Sequence, residues 1–211
     1  MTNPFLSRYW RRRTFCLALG LWPVVARASS DTTPNADALV RPGDPILGNP
    51  HGDLTLVDFY DIRCPPCRAM DVRIKRLLKT DPGIRYVPVD YPILGAASEL
   101  GTKALFAAQL QGRYEALRDD FMTEPTPPDD DSIKTDAKSL GLDWSQMELD
   151  MNGDAVAARI AANLARGRAL DLSGIPALFV GGIFVPGELS YDDLSSVVAM
   201  ARTKKAQVKP P

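Results

Sequence analysis

The sequence predicts an α/β protein in which a long helical segment separates two groups of strands. Three observations lead to this prediction. A strand, an amphipathic helix and a second strand follow one another within residues 51–95 and form a β-α-β unit. Residues 96–172 then carry helical patterns and no strand signal. Two short apolar strands and a last helix occupy residues 173–202.

Residues 1–28 have the features of a secretory signal. A basic region that contains Arg11–Arg13 precedes an apolar run of about a dozen residues, and an Ala-Arg-Ala sequence ending at Ala28 places cleavage before Ser29. The apolar run is too short for a transmembrane helix. An uncleaved anchor is the alternative, and the consecutive arginines leave the export route open. We therefore expect an exported, periplasmic protein.

Removal of this segment changes the charge and the cysteine content. The chain has 25 basic and 26 acidic residues, and the segment holds five arginines and no acid, so the mature chain has 20 basic and 26 acidic residues, net −6. This charge argues against a nucleic-acid partner. Cys16 leaves with the signal, and only Cys64 and Cys67 remain. About 180 residues suffice for one sizeable domain.

The two ends of the mature chain predict little regular structure. Residues 29–50 are rich in Pro, Asp, Asn and Gly and indicate an extended lead-in. They leave no room for a separate oligomerisation domain, so we expect a monomer. His51 is assigned to a solvated turn before the first strand. The polar residues 203–211 predict a flexible tail after a final helix that ends near Ala201.

The cysteines lie between a predicted strand, Leu54–Tyr60, and a helix that continues to Lys79. β-Branched and aromatic residues favour the strand. An apolar stripe marks one face of the helix at positions i, i+4, i+7 and i+8: Met70, Ile74, Leu77 and Leu78. Cys64 falls at the N-cap, and Pro65 and Pro66 fall at the first two helical positions, where a missing N–H costs little.

This placement predicts a redox-active cysteine pair. The Cys64 sulfur would lie at the positive end of the helix dipole, within reach of the Cys67 amide, and both effects stabilise a thiolate. Arg63 and Arg68 add positive charge nearby. Cysteines one helical turn apart can also form a disulfide at ordinary Cα separations.

Two other interpretations of the cysteine pair are weaker. A zinc site needs four ligands, and Cys16 and His51 are the only further Cys or His residues in the chain. A purely structural disulfide that closes so short a loop would constrain the unfolded chain little. The redox interpretation requires no metal and no organic cofactor.

The remaining elements follow from local signals. Alternation over Ile84–Val89 predicts the second strand. Five helices are predicted in the helical segment, at about residues 97–110, 114–122, 132–140, 143–151 and 154–170. Two glycines join the short strands Ala177–Val180 and Ile183–Val185, which is a hairpin signal.

With these elements in order, the chain resembles the DsbA-like branch of the thioredoxin superfamily. Four stretches carry the resemblance: V-D-F-Y-D-I-R-C-P-P-C, V-D-Y-P-I-L, G-I-P-A-L-F-V-G-G and V-P-G-E-L-S. The resemblance covers residues 48–202. It implies a thioredoxin-like fold with an inserted all-helical subdomain and the activity of a protein thiol:disulfide oxidoreductase.

The resemblance also implies roles for individual residues. Cys64 would be the exposed nucleophile and Cys67 the buried resolving thiol. Pro176 would be a cis-proline that faces the disulfide and leaves the Ile175 backbone free to pair with a substrate; an ordinary trans proline is the alternative. Asp58 would be a buried acid with a raised pKa that exchanges protons with Cys67, and a partly exposed Asp58 is the alternative.

The dipeptide between the cysteines departs from the family pattern. DsbA oxidants carry histidine before the second cysteine and thioredoxins carry Gly-Pro, whereas this chain has Pro65 and Pro66. The resemblance implies that both prolines would also contact the substrate. Pro66 offers the Cys64 thiolate neither a cationic ring nor an amide. Each lost charge-assisted bond weakens thiolate stabilisation by about 1.5–3 kcal/mol at most. We therefore expect a weaker oxidant.

The sequence thus predicts an exported enzyme that exchanges the Cys64–Cys67 disulfide with client proteins that have cysteine pairs. A mixed disulfide at Cys64 would be the intermediate, and a redox-recycling partner that the sequence does not identify would reset the pair. A reductase or isomerase in the same compartment is one alternative. A Cu(I) metallochaperone is the other, and it would want a third soft ligand such as a nearby methionine or His51.

Overall fold

A computed structural model describes residues 33–208 of the chain. The predicted signal with its Cys16 and the last three residues lie outside this range. The elements occur in the order α1 (Ala36–Leu39), β1 (Leu47–Gly48), β2 (Leu54–Tyr60), α2 (Pro65–Thr80), β3 (Ile84–Asp90), α3 (Ala96–Leu110), α4 (Tyr114–Thr123), α5 (Asp130–Ser139), α6 (Trp144–Met151), α7 (Asp154–Ala169), β4 (Ala177–Val180), β5 (Ile183–Pro186) and α8 (Tyr191–Val208). Among the described residues, no helix has the length and apolar character needed to span a bilayer.

The five strands form one mixed sheet in the order β1-β3-β2-β4-β5. β2 and β3 are parallel, as expected for a β-α-β unit, and the other neighbours are antiparallel. Every residue of β2 is buried, which fits a central strand covered on both faces. The predicted hairpin β4-β5 turns at Gly181, whose φ of 56° favours glycine.

The alternation of side chains along β2 divides the core of the sheet into two layers. Val57 and Phe59 belong to one layer. Leu54 and Leu56 belong to the other, together with apolar side chains of α2 and α8: Met70, Ile74, Leu77, Leu194, Val198 and Ala201. Asp58 alternates in step with Leu54 and Leu56, and it therefore lies on the α2 side of the sheet.

Helices α3 to α7 enclose a core of their own that reaches the cysteines. This cluster contains Cys64, Cys67 and Tyr60 and many side chains of the helical segment, among them Leu105, Phe106, Leu117, Phe121, Ile133 and Met147. All five helices predicted for residues 96–172 are present, with ends within two residues of the prediction. The helical segment therefore forms a wall of the site at the start of α2.

The C-terminal helix is longer than the sequence predicted. The expectation of a flexible tail from residue 203 is wrong for its first part, because α8 continues to Val208. Residues 203–208 contain neither Gly nor Pro, so nothing interrupts the helix. Lys204 Nζ donates to the Gly182 carbonyl at 3.1 Å, and Lys205 donates to the Asp53 carbonyl. These bonds attach the last turns to the sheet.

The lead-in is more structured than the sequence predicted. Four of its residues form α1, which Asn35 caps, and two form β1 at the edge of the sheet. Asp44 makes a buried ion pair with Arg166 of α7 at 2.9 Å. The expectation of a merely extended segment is therefore wrong, because long-range contacts that composition does not reveal hold it against the domain.

Candidate active site

Cys64 and Cys67 lie at the start of α2, just after the central strand. Cys64 is the N-cap, with extended backbone angles (φ −79°, ψ 113°), and Pro65 and Pro66 occupy the first two helical positions. The Cys67 amide donates a hydrogen bond to Cys64 Sγ at 3.3 Å. The sulfur thus caps the helix, since it binds an amide that has no partner within the helix. Both cysteines are free thiols in this structure.

The two sulfurs differ in proton affinity. The hydrogen bond from the Cys67 side chain, aided by the Cys67 amide, lowers the pKa of Cys64 below its ordinary value. The same side-chain contact raises the pKa of Cys67, and burial raises it further. Of the two thiols, Cys64 therefore ionises first, and Cys67 keeps the proton that it donates to Cys64.

Cys64 is less accessible than the sequence predicted. Its exposed fraction is 4%, and that of Cys67 is 0%, so the expectation of an openly exposed nucleophile is wrong. The carbonyl oxygen of Ile175 lies 3.8 Å from Cys64 Sγ and covers the sulfur in part. The difference in reactivity between the two cysteines consequently depends on ionisation more than on exposure.

The loop before β4 brings a proline to the cysteines. The Ile175–Pro176 peptide bond is cis, which excludes the trans alternative in this structure. Pro176 is buried, and Ile175 is half-buried. The Pro176 carbonyl accepts a hydrogen bond from the Gly187 amide at 2.8 Å. This bond ties the loop to the turn after β5 and holds Ile175 next to Cys64.

The two arginines beside the cysteines are engaged with loop backbone. Arg63 Nη1 and Arg68 Nε each donate to a carbonyl of a neighbouring loop, at 3.2 and 2.8 Å. Two carboxyl groups, Asp61 and Asp58, act in the opposite sense on Cys64, because their charges disfavour its ionisation. The positive charge expected from the arginines is thus offset in part.

Asp58 lies under α2 in the middle of β2. Only 1% of its surface is exposed, so the alternative of a partly exposed side chain is wrong. The Tyr86 hydroxyl donates to Asp58 Oδ2 at 3.2 Å, while Oδ1 has no hydrogen-bond partner within residues 33–208. Burial raises the pKa of Asp58 to about 7, against the opposing effects of Arg118 and Tyr86. The Asp58 charge in turn helps to raise the pKa of Cys67.

A buried ion pair lies behind the cysteines and was not predicted from the sequence. Arg118 of α4 is completely buried, and its Nη1 donates to Asp71 Oδ1 of α2 at 2.6 Å. Both residues occupy apolar positions of their helices: Arg118 lies four residues after the buried Tyr114, and Asp71 lies four after Cys67. Helical periodicity could have indicated this ion pair, because each of the two opposite charges falls within the apolar stripe of its helix.

His51 lies at the far end of the central strand from the cysteines. It is exposed in a turn before Leu54, as the sequence predicted, whereas Cys64 follows the other end of β2. A strand of this length spans roughly 20 Å, so His51 does not reach the two thiols. Among the described residues, no three Cys, His, Asp or Glu side chains form a group that could hold a metal ion.

Comparison with known proteins gives a family match and similar structures. Residues 55–199 match the family model of the DSBA-like thioredoxin domain. The structure is similar to that of a thioredoxin-like oxidoreductase from Silicibacter pomeroyi, with a TM-score of 0.74, 35% identity and coverage of 78% of this chain and 95% of that chain. It is also similar to the thiol-disulfide exchange protein alpha-DsbA2 from Wolbachia pipientis, with a TM-score of 0.72, 26% identity and coverage of 78% and 90%.

The curated relatives include longer proteins. The chain is 26% identical over 203 residues to the Na(+)/H(+) antiporter NhaA 3 of Salinispora tropica, an alignment that covers 93% of this chain and 31% of that protein. The chain spans about a quarter to a third of the length of the first curated relatives it matches. The similarity therefore concerns one part of those proteins.

Proposed function

This chain belongs to the DSBA-like thioredoxin domain family, and we propose that it is a thiol:disulfide oxidoreductase that exchanges its Cys64–Cys67 disulfide with cysteine pairs of client proteins. The observation that carries the proposal is the asymmetry of the two sulfurs. The pKa of Cys64 at the start of α2 is lowered, whereas that of the buried Cys67 is raised. A thiolate is both a nucleophile and a good leaving group, and a protonated thiol is neither.

The exchange begins when a client thiolate attacks Cys64 Sγ of the oxidised pair. A client–Cys64 bond forms, the Cys64–Cys67 bond breaks, and the electron pair goes to Cys67 Sγ, which takes up a proton. The second client thiolate then attacks the client sulfur of this mixed disulfide, and Cys64 leaves as a thiolate. The client loses two electrons and the cysteine pair gains them. The same steps in reverse order reduce a client disulfide.

Asp58 is proposed to exchange the proton of Cys67. In its protonated form it gives this proton to Cys67 as the disulfide opens. As a carboxylate it accepts the proton when Cys67 attacks a mixed disulfide. Its pKa of about 7 suits both directions, since both forms are populated near neutral pH.

The client backbone is proposed to bind along the loop of Ile175 and Pro176. This loop lies over Cys64, and an extended client segment would pair with its backbone as an added strand does at a sheet edge. Pro65 and Pro66 are exposed next to the sulfur and offer an apolar contact to the client. Both groups of residues would hold the client disulfide or thiol against Cys64.

The Pro65-Pro66 dipeptide favours a pair that is less oxidising than that of DsbA enzymes with histidine before the second cysteine. Pro66 has no N–H to give to the Cys64 thiolate, so the reduced form loses up to about 1.5–3 kcal/mol of stabilisation. This corresponds to a potential lower by up to about 30–65 mV. Pro66 is thus the observation that favours a reductase or isomerase as the second candidate function.

The exchange is proposed to take place in the periplasm. The signal features of residues 1–28 support export, and oxidising surroundings suit a mature chain whose only cysteines form one pair. The protein would act as a monomer on cysteine-containing clients. A redox partner in the same compartment would return the pair to its starting state, and this partner decides the direction of net exchange.

A Cys67→Ser variant tests the proposed intermediate. Serine cannot close the pair, so a client disulfide attacked by Cys64 should remain attached. Incubation with a peptide that contains one disulfide should give a covalent adduct that mass mapping places at Cys64 and that a reductant releases. The Cys64→Ser variant is the matched control and should form no adduct, because Cys67 is buried and this burial raises its pKa. Adducts at Cys67, or none in either variant, would contradict the proposal.

A further inference from the structure

Arg118 is a fully buried cation that packs against α2, the helix of the cysteines. Its side chain has no solvent exposure, and it comes from α4 of the helical segment rather than from the sheet. Burial of a guanidinium is costly unless other groups replace its water. The groups that replace this water connect Arg118 to the residues beneath the cysteines.

Three side chains hold the guanidinium of Arg118 in place. Nη1 donates to Asp71 Oδ1 at 2.6 Å, and Nη2 donates to the Tyr86 hydroxyl at 3.0 Å. The ring of Tyr60 lies against the guanidinium, with 4.4 Å between its centroid and Cζ. Lys75 binds the other oxygen of Asp71 at 3.0 Å. Arg118 is therefore fixed between α2 and the two central strands.

Tyr86 connects Arg118 to Asp58. Its hydroxyl oxygen accepts from Arg118, and its O–H donates to Asp58 Oδ2 at 3.2 Å. Donation by a charged group polarises the hydroxyl and makes it a stronger donor, so the two bonds reinforce each other. The Arg118 charge is thus one hydroxyl group away from the Asp58 carboxyl, in an interior where charges interact more strongly than in water.

Negative and titratable groups surround the same space. Those that act on Asp58 or Arg118 are Tyr60 of β2, Asp71 of α2, Tyr86 and Asp90 of β3, and Tyr114 of α4. Asp58 in turn acts on Cys64 and Cys67. Asp71 and Asp90 disfavour a carboxylate at Asp58, whereas Arg118 favours it. Without Arg118, Asp58 would be a buried acid among like charges.

We propose that Arg118 is a positioning residue of the redox site: its charge allows Asp58 to ionise within the fold and so to exchange a proton with Cys67. The exchange with Cys67 rests on the proposed function, whereas the control of Asp58 ionisation does not. In this arrangement the helical segment supplies the charge that the acid beneath α2 needs, in addition to forming a wall of the site.

Infrared titration of the reduced protein tests this control directly. The carboxyl stretch of protonated Asp58 is identified by its loss in Asp58→Asn, and its intensity against pH gives the pKa of Asp58. Arg118→Met should raise this pKa, because a favourable charge is gone, and the proton affinity should rise at least about tenfold. Arg118→Lys keeps a cation at this position and should reverse part of the rise.

Asp71→Asn is the matched control, because it removes the opposite charge of the same ion pair. It should lower the pKa of Asp58, which is the reverse of the effect of Arg118→Met. Loosened packing would admit water and lower this pKa toward its ordinary value. A rise in Arg118→Met therefore cannot result from lost structure.

A double variant keeps the test decisive if Arg118→Met alone does not fold. Asp71→Asn combined with Arg118→Met removes both charges of the ion pair, so neither partner is left buried alone. Asp58 should still bind its proton more tightly than in the parent, because the effect of Arg118 exceeds that of Asp71. An unchanged or lowered pKa of Asp58 in the folded variants that carry Arg118→Met overturns the proposal.

Ellman's reagent separates this proposal from the proposed function. In the reduced protein, a first release of thionitrobenzoate reports the mixed disulfide at Cys64, and a second release reports attack by Cys67. The rate of the second release should rise with pH through the pKa of Asp58, and Arg118→Met should move that rise to higher pH. A shifted pKa of Asp58 without a shifted rate profile supports the control by Arg118 and contradicts the proton exchange with Cys67.

Discussion

The buried carboxyl of Asp58 should make the folded protein less stable as the pH rises, and Asp58→Asn should remove this loss. Burial disfavours the carboxylate, so the pKa of Asp58 is about 7 in the fold against an ordinary value of 3.8. The unfolded chain therefore releases the proton at a lower pH than the folded protein does. As the pH rises from 3.8 to about 7, the free energy of unfolding consequently falls. Above about pH 7 it stays at the lower level.

The size of the effect follows from the two pKa values. A gap of about three pH units corresponds to about 4 kcal/mol in the free energy of unfolding. Asparagine has the size of aspartate and retains an oxygen that accepts from the Tyr86 hydroxyl, but it carries no charge. Asp58→Asn should therefore gain most of this free energy above neutral pH and little of it at about pH 4.

Urea unfolding of the reduced parent and of Asp58→Asn measures this gain. From about pH 5 to about pH 8.5, the advantage of the variant in free energy of unfolding should grow by about 2–3 kcal/mol. Taking the difference between parent and variant at each pH removes the contribution of the other titrating groups. An advantage of equal size at both pH values would refute the account of Asp58 as a buried acid that ionises near neutral pH.

Three further predictions concern the cysteines and the N-terminus. In the reduced protein, brief treatment with iodoacetamide should label Cys64 much faster than Cys67, because Cys64 has the lower pKa; equal rates would contradict the assignment. Pro66→His should lower the pKa of Cys64 and make the pair more oxidising in glutathione equilibria, although the freer backbone would offset about 0.4–1 kcal/mol; an equal or more reducing potential would oppose this reasoning. N-terminal sequencing of the exported protein should begin at or near Ser29, and full-length chain recovered from the membrane would indicate an anchor instead.

The local geometry of the cysteine pair was predictable from short-range rules. Strand Leu54–Tyr60 has the bounds that its composition predicts. Cys64 is the N-cap, and Pro65 and Pro66 stand at the first two helical positions because proline fits only where no N–H is needed. The helices of residues 96–172 likewise follow from periodicity, caps and breakers.

The surroundings of the pair depend on contacts between distant segments, which local rules do not specify. The Arg118–Asp71 ion pair joins α4 to α2, and neither helix alone indicates its partner. The cover over Cys64 comes from Ile175, which lies 111 positions later in the chain. The pairing of β1 with the edge of the sheet is also long-range, and a two-residue strand carries too little pattern to predict.

Cys64 and Cys67 are proposed to form a reversible disulfide that exchanges with other thiols. Equilibration of the protein in a series of glutathione buffers, followed by acid quenching and mass spectrometry, measures this exchange. We expect a single two-electron transition between the dithiol and the Cys64–Cys67 disulfide, with a minor glutathione adduct at Cys64. A stable glutathione adduct at Cys64 with Cys67 still a free thiol throughout the series would contradict it.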